Sequence, residues 1–277
     1  MQAHLRRGNG PRTQLGQEGR TPIPKRDWQK YLSNSDNKKE LFAYCSRQLS
    51  QTDIGGALIV TTTPSTVLTN QQTDCNLEGL SPCNHTEADT RIILHLAHAA
   101  SQGHTDAYVR TVDSDIVVLA IAFFDQLRLS KLWIGLGIGK HYRDIPVHGM
   151  KSVLGPARSL ALPLFHSLSG CDTTSQLLGI GKKTAWITWQ SMPELTETLV
   201  NLTHNPARFS VDSNDMKQLE RFTVLMYSKS CSAASVDEAR QQLFSLGSRT
   251  LEALPPTKAA LYQHVKLAIL QACFFWK

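Results

Sequence analysis

The chain has 277 residues, of which 41% are hydrophobic and 19% are charged, so it can bury a substantial core and is not a wholly disordered protein. Its longest apolar run, residues 116–124, is far short of the roughly 20 residues that cross a bilayer, and no secretion signal is evident. We expect an intracellular protein, with the nucleus as a candidate compartment, no membrane partner and reduced cysteines. The net charge of +6 resides in residues 1–50, where ten Lys or Arg accompany four Asp or Glu, while the remainder holds 19 of each kind.

The first segment, residues 1–27, is predicted to be a disordered basic leader. It is rich in Gly, Arg, Gln and Thr and has almost no apolar periodicity. Its charge suits sequence-independent attraction to phosphates, although a solvated tail is the interpretation that we favour.

The next segment predicts a helix and a strand followed by a loop. Apolar residues at helical spacing indicate a helix from Asp36 to Leu49 after a cap at Asn34 or Ser35. Residues 57–62 are β-prone. Residues 64–84 are polar and turn-forming, and they predict a connecting loop.

A second helix and strand then bring acidic residues to element boundaries. Asn84-His85-Thr86-Glu87 resembles a capping box and opens a helix from about Glu87 to Ser101. A strand over residues 107–111 leads into Asp113-Ser114-Asp115, which can cap another helix that extends to Phe124.

Two further short strands, residues 131–135 and 144–148, surround a glycine-rich turn. This turn, residues 135–140, lacks the spacing of a phosphate-binding loop and predicts a hairpin. Helical patterns follow, at residues 193–202, 215–227, 236–246 and 257–275. The order of elements predicts an α/β fold with a mainly parallel sheet, whose ligands bind at the carboxyl ends of the strands.

The acidic residues at these boundaries are candidate metal ligands: Glu87, Asp89, Asp113, Asp115 and Asp172. Taken singly, Glu87 reads better as a cap, Asp113 as a helix start and Asp172 as a turn residue. Taken together, they offer the hard oxygen donors that Mg²⁺ or Mn²⁺ prefers, and two such ions can assist phosphodiester cleavage.

A glycine-lysine turn follows the last of these acids. In Leu178-Gly179-Ile180-Gly181-Lys182-Lys183-Thr184-Ala185, two glycines permit a tight turn into a helix. The amide-rich start of such a helix can face a phosphate, and the two lysines add positive charge there.

Together these motifs resemble the flap-endonuclease family of 5′-nucleases in the PIN-like superfamily, over about residues 86–189. In that family a Glu-Ala-Glu-like helix opening, an Asp-x-Asp strand end and a Gly-x-Asp turn supply carboxylates. The matching residues here are Glu87-Ala88-Asp89, Asp113-Ser114-Asp115 and Gly170-Cys171-Asp172. The segment from Gly179 to Ala185 is similar to the family's helix-two-turn-helix, which grips duplex backbone, often with a monovalent cation.

The resemblance implies a PIN-like α/β core over residues 28–170, with helices flanking a mainly parallel sheet, and a helical region with the helix-two-turn-helix over residues 171–277. It implies a metal-dependent endo- or exonuclease whose partner is nucleic acid, expected to be DNA. Asp89, Asp113, Asp115 and Asp172 would hold one or two Mg²⁺ or Mn²⁺ ions, with Glu87 in contact through water. Gly179, Gly181, Lys182, Lys183 and Thr184 would bind the nucleic acid. The segment also resembles uncharacterised animal proteins with a suggested mobile-element origin.

The chain departs from the family in its first third. Two further family aspartates are not evident, because Asp27, Asp36, Asp53 and Asp74 lie in polar contexts, and the helical arch is not evident either. We therefore expect an N-terminally shortened core with one complete metal site. The alternatives are a catalytically incomplete nucleic-acid-binding remnant and a protein-interaction scaffold.

Three other groups of residues are given ordinary structural interpretations. The histidines at positions 85, 95, 98 and 104 match no standard zinc spacing. His166 and Ser167 precede Ser169 without a nucleophile elbow, so no hydrolytic triad is indicated. The tryptophans at positions 186, 189 and 276 are interpreted as core residues.

Overall fold

A computed structural model describes residues 10–15, 27–63, 65–72, 74, 76–81, 85, 87–246 and 250–276. The chain divides into two compact units, residues 1–86 and residues 87–277. The boundaries that the sequence predicts at residues 27 and 170 stay predictions. Within the described part of the chain, no helix combines the length and apolar character that crossing a bilayer requires.

The first unit contains two helices and a small sheet: α1 (Trp28–Ser33), α2 (Ser35–Leu49), β1 (Val60–Thr62) and β2 (Val67–Thr69). The side chain of Asn34 caps α2 as predicted, since it accepts hydrogen bonds from the backbone N–H groups of Asp36 and Asn37. Helix α1 was not predicted. Strand β2 pairs antiparallel with β1 and lies in the segment predicted to be a loop, as does a 3₁₀ turn at Glu78–Leu80.

Residues 10–15 differ from the predicted disorder of the leader. The Arg12 guanidinium lies 2.7 Å from the Glu40 carboxylate, and the Asn37 side chain donates to the Pro11 carbonyl and accepts from the Thr13 amide. These contacts fasten the segment to α2. Residues 1–9 and 16–26 lie outside the described residues.

The second unit is built on a three-stranded sheet with the order β3-β4-β5, where β3 is Asp106–Thr111, β4 is Lys131–Leu136 and β5 is Arg143–Pro146. Strands β3 and β4 are parallel, whereas β4 and β5 are antiparallel. The sheet is therefore mixed, and the expectation of a mainly parallel sheet is corrected. The reason is the short connection between β4 and β5, because a turn of this length can join only antiparallel strands.

Three helices share one hydrophobic core with this sheet: α3 (Ala88–Ser101), α4 (Ser114–Leu127) and α5 (Val147–Leu168). Helix α4 is the centre of the core, since its residues 116–121 are all buried. Leu132 and Ile134 of β4 are fully buried on the same side of the sheet, while Tyr108 and Trp133 on the opposite face are exposed. Helix α5 is interrupted at Gly155, whose φ of 74° is outside the helical region.

The remaining chain is helical, as the sequence predicts: α6 (Lys182–Ser191), α7 (Glu194–His204), α8 (Asn214–Tyr227), α9 (Val236–Ser245) and α10 (Lys258–Leu270), followed by a π-turn at Gln271–Phe275. Phe165 of α5 packs against Trp189 of α6 with ring centroids 4.5 Å apart. His264 of α10 lies 2.9 Å from the carbonyl oxygen of Leu168 at the end of α5. These contacts hold the segment between α5 and α6 in place.

Candidate functional site

Asp113 and Asp115 stand where β3 enters α4. Oδ1 of Asp113 accepts a hydrogen bond of 2.9 Å from the backbone N–H of Asp115, so Asp113 caps the helix as the sequence predicts. Asp115 lies in the first turn, and its Oδ1 is 2.9 Å from Nε2 of His166 in α5. Since His166 is only 7% exposed, this contact fixes the Asp115 carboxylate from the protein interior.

Glu87 and Asp89 stand at the start of α3. Glu87 is the residue before the helix, but its side chain does not cap it. Instead Oε2 accepts hydrogen bonds from Nε1 of Trp276 at 3.0 Å and from Nε2 of Gln271 at 3.3 Å. Asn84, the predicted cap, lies outside the described residues. Asp89 is half-buried and accepts no hydrogen bond from the described residues.

Asp172 is carried by a tight turn after α5. Gly170 has a φ of 97°, and a side chain there would meet Gln176 at 3.0 Å, so the turn requires glycine. The Thr174 hydroxyl closes the turn, because it donates to the Ser167 carbonyl at 2.6 Å and accepts from the Cys171 amide at 3.1 Å. Asp172 itself is exposed.

The other four acidic residues interact electrostatically with Asp89. Burial, followed by the negative charges of Asp113, Asp115, Glu87 and Asp172, raises the pKa of the Asp89 carboxyl to about 6. Like charges disfavour ionisation only when they are close. The three segments that the sequence singles out therefore meet in one acidic cluster, which we define as Glu87, Asp89, Asp113, Asp115 and Asp172.

The donor chemistry of the acidic cluster fits a hard divalent cation, because carboxylate oxygens are the ligands that Mg²⁺ and Mn²⁺ prefer and a cation would relieve their repulsion. Three of the carboxylates also have protein partners: Asp113 caps α4, Asp115 contacts His166, and Glu87 accepts from Trp276. Across the described residues, no three His, Cys, Asp or Glu side chains converge closely enough to surround a metal ion. A metal ion at the cluster would therefore require its side chains to rotate.

The predicted nucleic-acid-binding turn leads into α6. Gly179 is exposed with a φ of 74°, Gly181 immediately precedes the helix, and Thr184 is half-buried in its first turn. Lys183 is exposed and forms no salt bridge with the described residues. This side of the turn is free to face a ligand.

Lys182 faces the opposite way. Its ammonium donates to the carbonyl oxygens of His166 and Gly170 and to the Ser169 hydroxyl, at 3.0, 2.5 and 3.2 Å. Burial lowers the pKa of this lysine, while the nearby Cys171 and Asp115 act in the other direction. All three N–H donors are thus used to hold the turn that carries Asp172.

Sequence reasoning missed the partners of the carboxylates. The sequence around His166 indicates no hydrolytic triad, and the prediction that Trp276 is a core residue is confirmed, since Trp276 is buried. No local signal identifies them, because each contacts its carboxylate from a distant segment. Their common feature is a polar ring atom on a buried side chain, which must find a hydrogen-bond partner.

Comparison of the chain with protein-family models, with curated proteins and with solved structures gives no significant match. The functional assignment therefore depends on the residues and geometry described above.

Proposed function

We propose that the second unit is a PIN-like, metal-dependent nuclease that hydrolyses the phosphodiester backbone of nucleic acid, with DNA as the expected substrate. The observation that supports the proposal is the acidic cluster, in which burial and then the charges of four further carboxylates raise the pKa of Asp89 to about 6. Structural proteins gain nothing from such repulsion, whereas a cation site requires concentrated negative charge.

In this proposal Asp89, Asp113, Asp115 and Asp172 hold one or two Mg²⁺ or Mn²⁺ ions, and Glu87 assists through water. A bound divalent cation supplies water activation and stabilises the charge that develops on the phosphate. The protein positions the ligands: His166 orients Asp115, and Trp276 and Gln271 orient Glu87. Such supporting contacts reduce the number of conformations that a metal-binding carboxylate can adopt.

The turn before α6 is proposed to bind the backbone away from the cleaved bond, as in a helix-two-turn-helix. Gly179 and Gly181 allow close approach, since a Cβ atom at either position would meet nothing within 4 Å. Lys183 and Thr184 would contact phosphates, and a monovalent cation would assist. Lys182 contributes by holding the turn, because its ammonium is already bound by three protein oxygens.

The test is incubation of the purified chain with labelled flap, single-stranded and duplex DNA in Mn²⁺, Mg²⁺ or EDTA. We expect cleavage that requires the metal and that Asp113→Asn abolishes. Asp106→Asn is the matched control, since Asp106 is exposed at the opposite end of β3 and should leave cleavage unchanged. Undiminished metal-dependent activity in Asp113→Asn would overturn the proposed site.

A catalytically incomplete, nucleic-acid-binding protein is the second candidate. The observation that favours it is that no three of the described carboxylates lie close enough to surround a metal ion, and that three of them are engaged by protein donors. It predicts salt-sensitive DNA binding without cleavage in any metal. Measuring Mn²⁺ binding directly, by the loss of the free-ion paramagnetic signal, separates an inactive metal site from no metal site.

A further inference from the structure

A basic groove lies beside the acidic cluster. It has a volume of about 540 Å³ and is lined by Val112, Leu136, Gly137, Lys140, His141, Tyr142 and Arg143. We call it the hairpin groove, because most of these residues belong to the connection between β4 and β5.

The hairpin groove and the acidic cluster share one edge of the sheet. Thr111 and Leu136 are paired at the carboxyl ends of the parallel strands β3 and β4, and the amide of Gly137 donates to the Thr111 carbonyl at 3.1 Å. Val112 lines the groove, and the next residue is Asp113 of the cluster. A ligand bound in the groove would therefore lie next to the acidic cluster, because Val112 and Asp113 are consecutive residues.

Two exposed cations, Lys140 and Arg143, line the groove. Lys140 and Arg143 form no salt bridge with the described residues. A third cation, Arg110, is fixed below the hairpin by hydrogen bonds to the carbonyls of Thr111 and Gly135, and its guanidinium lies 5.1 Å from the centre of the Tyr142 ring.

Asp144 shares a face of the sheet with Arg110, because both residues pair with Gly135 of β4. Asp144 follows Arg143 in β5, so its side chain points to the opposite face of the sheet. There its Oδ1 accepts hydrogen bonds of 2.7 Å from the hydroxyls of Tyr108 and Tyr142. Asp144 therefore does not neutralise Lys140 or Arg143 within the groove.

The backbone of the hairpin is built to present Lys140. Gly137 has a φ of 88°, and a Cβ atom there would lie 2.6 Å from the His141 carbonyl oxygen, so the chain turns too tightly for any other residue. The following 3₁₀ turn, Gly139–His141, places Lys140 at its centre.

We propose that the hairpin groove binds the sugar–phosphate backbone of a nucleic-acid strand and guides it to the acidic cluster. This inference deepens the proposed nuclease function and depends on it for the role of the cluster. The physical reason is electrostatic: five carboxylates repel a polyanion, and positive charge beside them offsets that repulsion. Lys140 and Arg143 supply it, since both are free to neutralise phosphates.

The experiment is fluorescence anisotropy of a labelled single-stranded oligonucleotide, and of its duplex, with the full chain in EDTA over a series of salt concentrations. The test variant is Lys140→Ala/Arg143→Ala. The control variant, Lys131→Ala/Lys217→Ala, removes the same charge from exposed positions in β4 and α8. Omitting the metal makes the measurement independent of cleavage.

We expect the test variant to bind about tenfold more weakly or worse at low salt and to lose about two units of the slope of log K against log salt concentration. The control should stay within about twofold of the wild type. Three results would overturn the proposed role of the groove: equal weakening of binding by both variants, wild-type affinity in the test variant, or no binding by the wild type. If only the test variant binds more weakly, while the chain neither binds Mn²⁺ nor cleaves DNA, then the proposed nuclease function is wrong and the groove is still a nucleic-acid-binding surface.

Discussion

Nε2 of His166 lies 2.9 Å from Oδ1 of Asp115, which joins the end of α5 to the first turn of α4. Both side chains are largely buried. A buried carboxylate that loses its partner bears the full cost of desolvation, whereas the same contact at the surface contributes little.

We predict that His166→Ala lowers the free energy of unfolding by about 2–4 kcal/mol, because it leaves a cavity and an unpartnered carboxylate. Urea denaturation measures the change. His104→Ala is the control, since His104 is exposed, and should stay within about 0.5 kcal/mol of the wild type. A loss no larger than that of the control would show that the contact does not stabilise the fold.

The raised pKa of Asp89 predicts a pH dependence of stability. A carboxyl with a higher pKa in the folded state binds its proton more tightly there, so the bound proton stabilises the fold. This contribution to the free energy of unfolding is present below the ordinary pKa of 3.8 and is lost as the pH rises through about 6. Asp89→Asn removes this loss. After discounting for partial exposure, we expect the variant to be more stable than the wild type by about 1 kcal/mol at about pH 8, and equal to it at about pH 3.

Thermal unfolding at several pH values tests this, with Asp106→Asn as a control of the same chemistry at an exposed position. An Asp89→Asn variant whose advantage is greatest in acid would contradict the sign of the effect.

The two lysines of the α6 turn are predicted to have separate effects. Lys182→Ala removes three hydrogen bonds from the turn that carries Asp172 and should lower the free energy of unfolding by about 1–3 kcal/mol. Lys183→Ala should leave stability within about 0.5 kcal/mol of the wild type and weaken DNA binding instead. Urea denaturation and fluorescence anisotropy of both variants test whether the two lysines have separate effects. The same change in stability and in DNA affinity for both variants would refute the prediction.

Gly170 is predicted to be irreplaceable in the turn before Asp172. Gly170→Ala places a Cβ atom on a residue with a left-handed backbone and brings that atom against the backbone of Gln176. This should destabilise the second unit by about 1–3 kcal/mol. Gly149→Ala, in α5, is the matched control, because a Cβ atom there makes only ordinary contacts and alanine favours a helix. Equal melting temperatures for the two variants would contradict this prediction.

Much of the local structure could be predicted from the sequence. Asn34 and Asp113 act as caps because short polar side chains directly precede apolar helical patterns. The hairpin between β4 and β5 is confirmed, because the short glycine-rich connection predicts it, whereas the mainly parallel sheet inferred from the alternation of strands and helices is wrong. Strand β2 was missed because its three residues stand among polar, turn-forming neighbours.

The candidate site could be predicted only as far as its carboxylates. The position of each acid at the end of an element is a local property, which the sequence displays. The partners Gln271 and Trp276 reach Glu87 only through tertiary packing, and no spacing indicates that. The same holds for Lys182, whose role in the turn depends on the path of residues 166–170.

The hydrogen bond between Glu87 and Trp276 spans 189 positions of the chain. During synthesis every carboxylate of the cluster leaves the ribosome well before Trp276, so each nascent molecule passes through a stage in which Glu87 lacks this donor. Because Trp276 is buried in the same unit as Glu87, the surroundings of the Glu87 carboxylate are complete only after residue 276 has been synthesised.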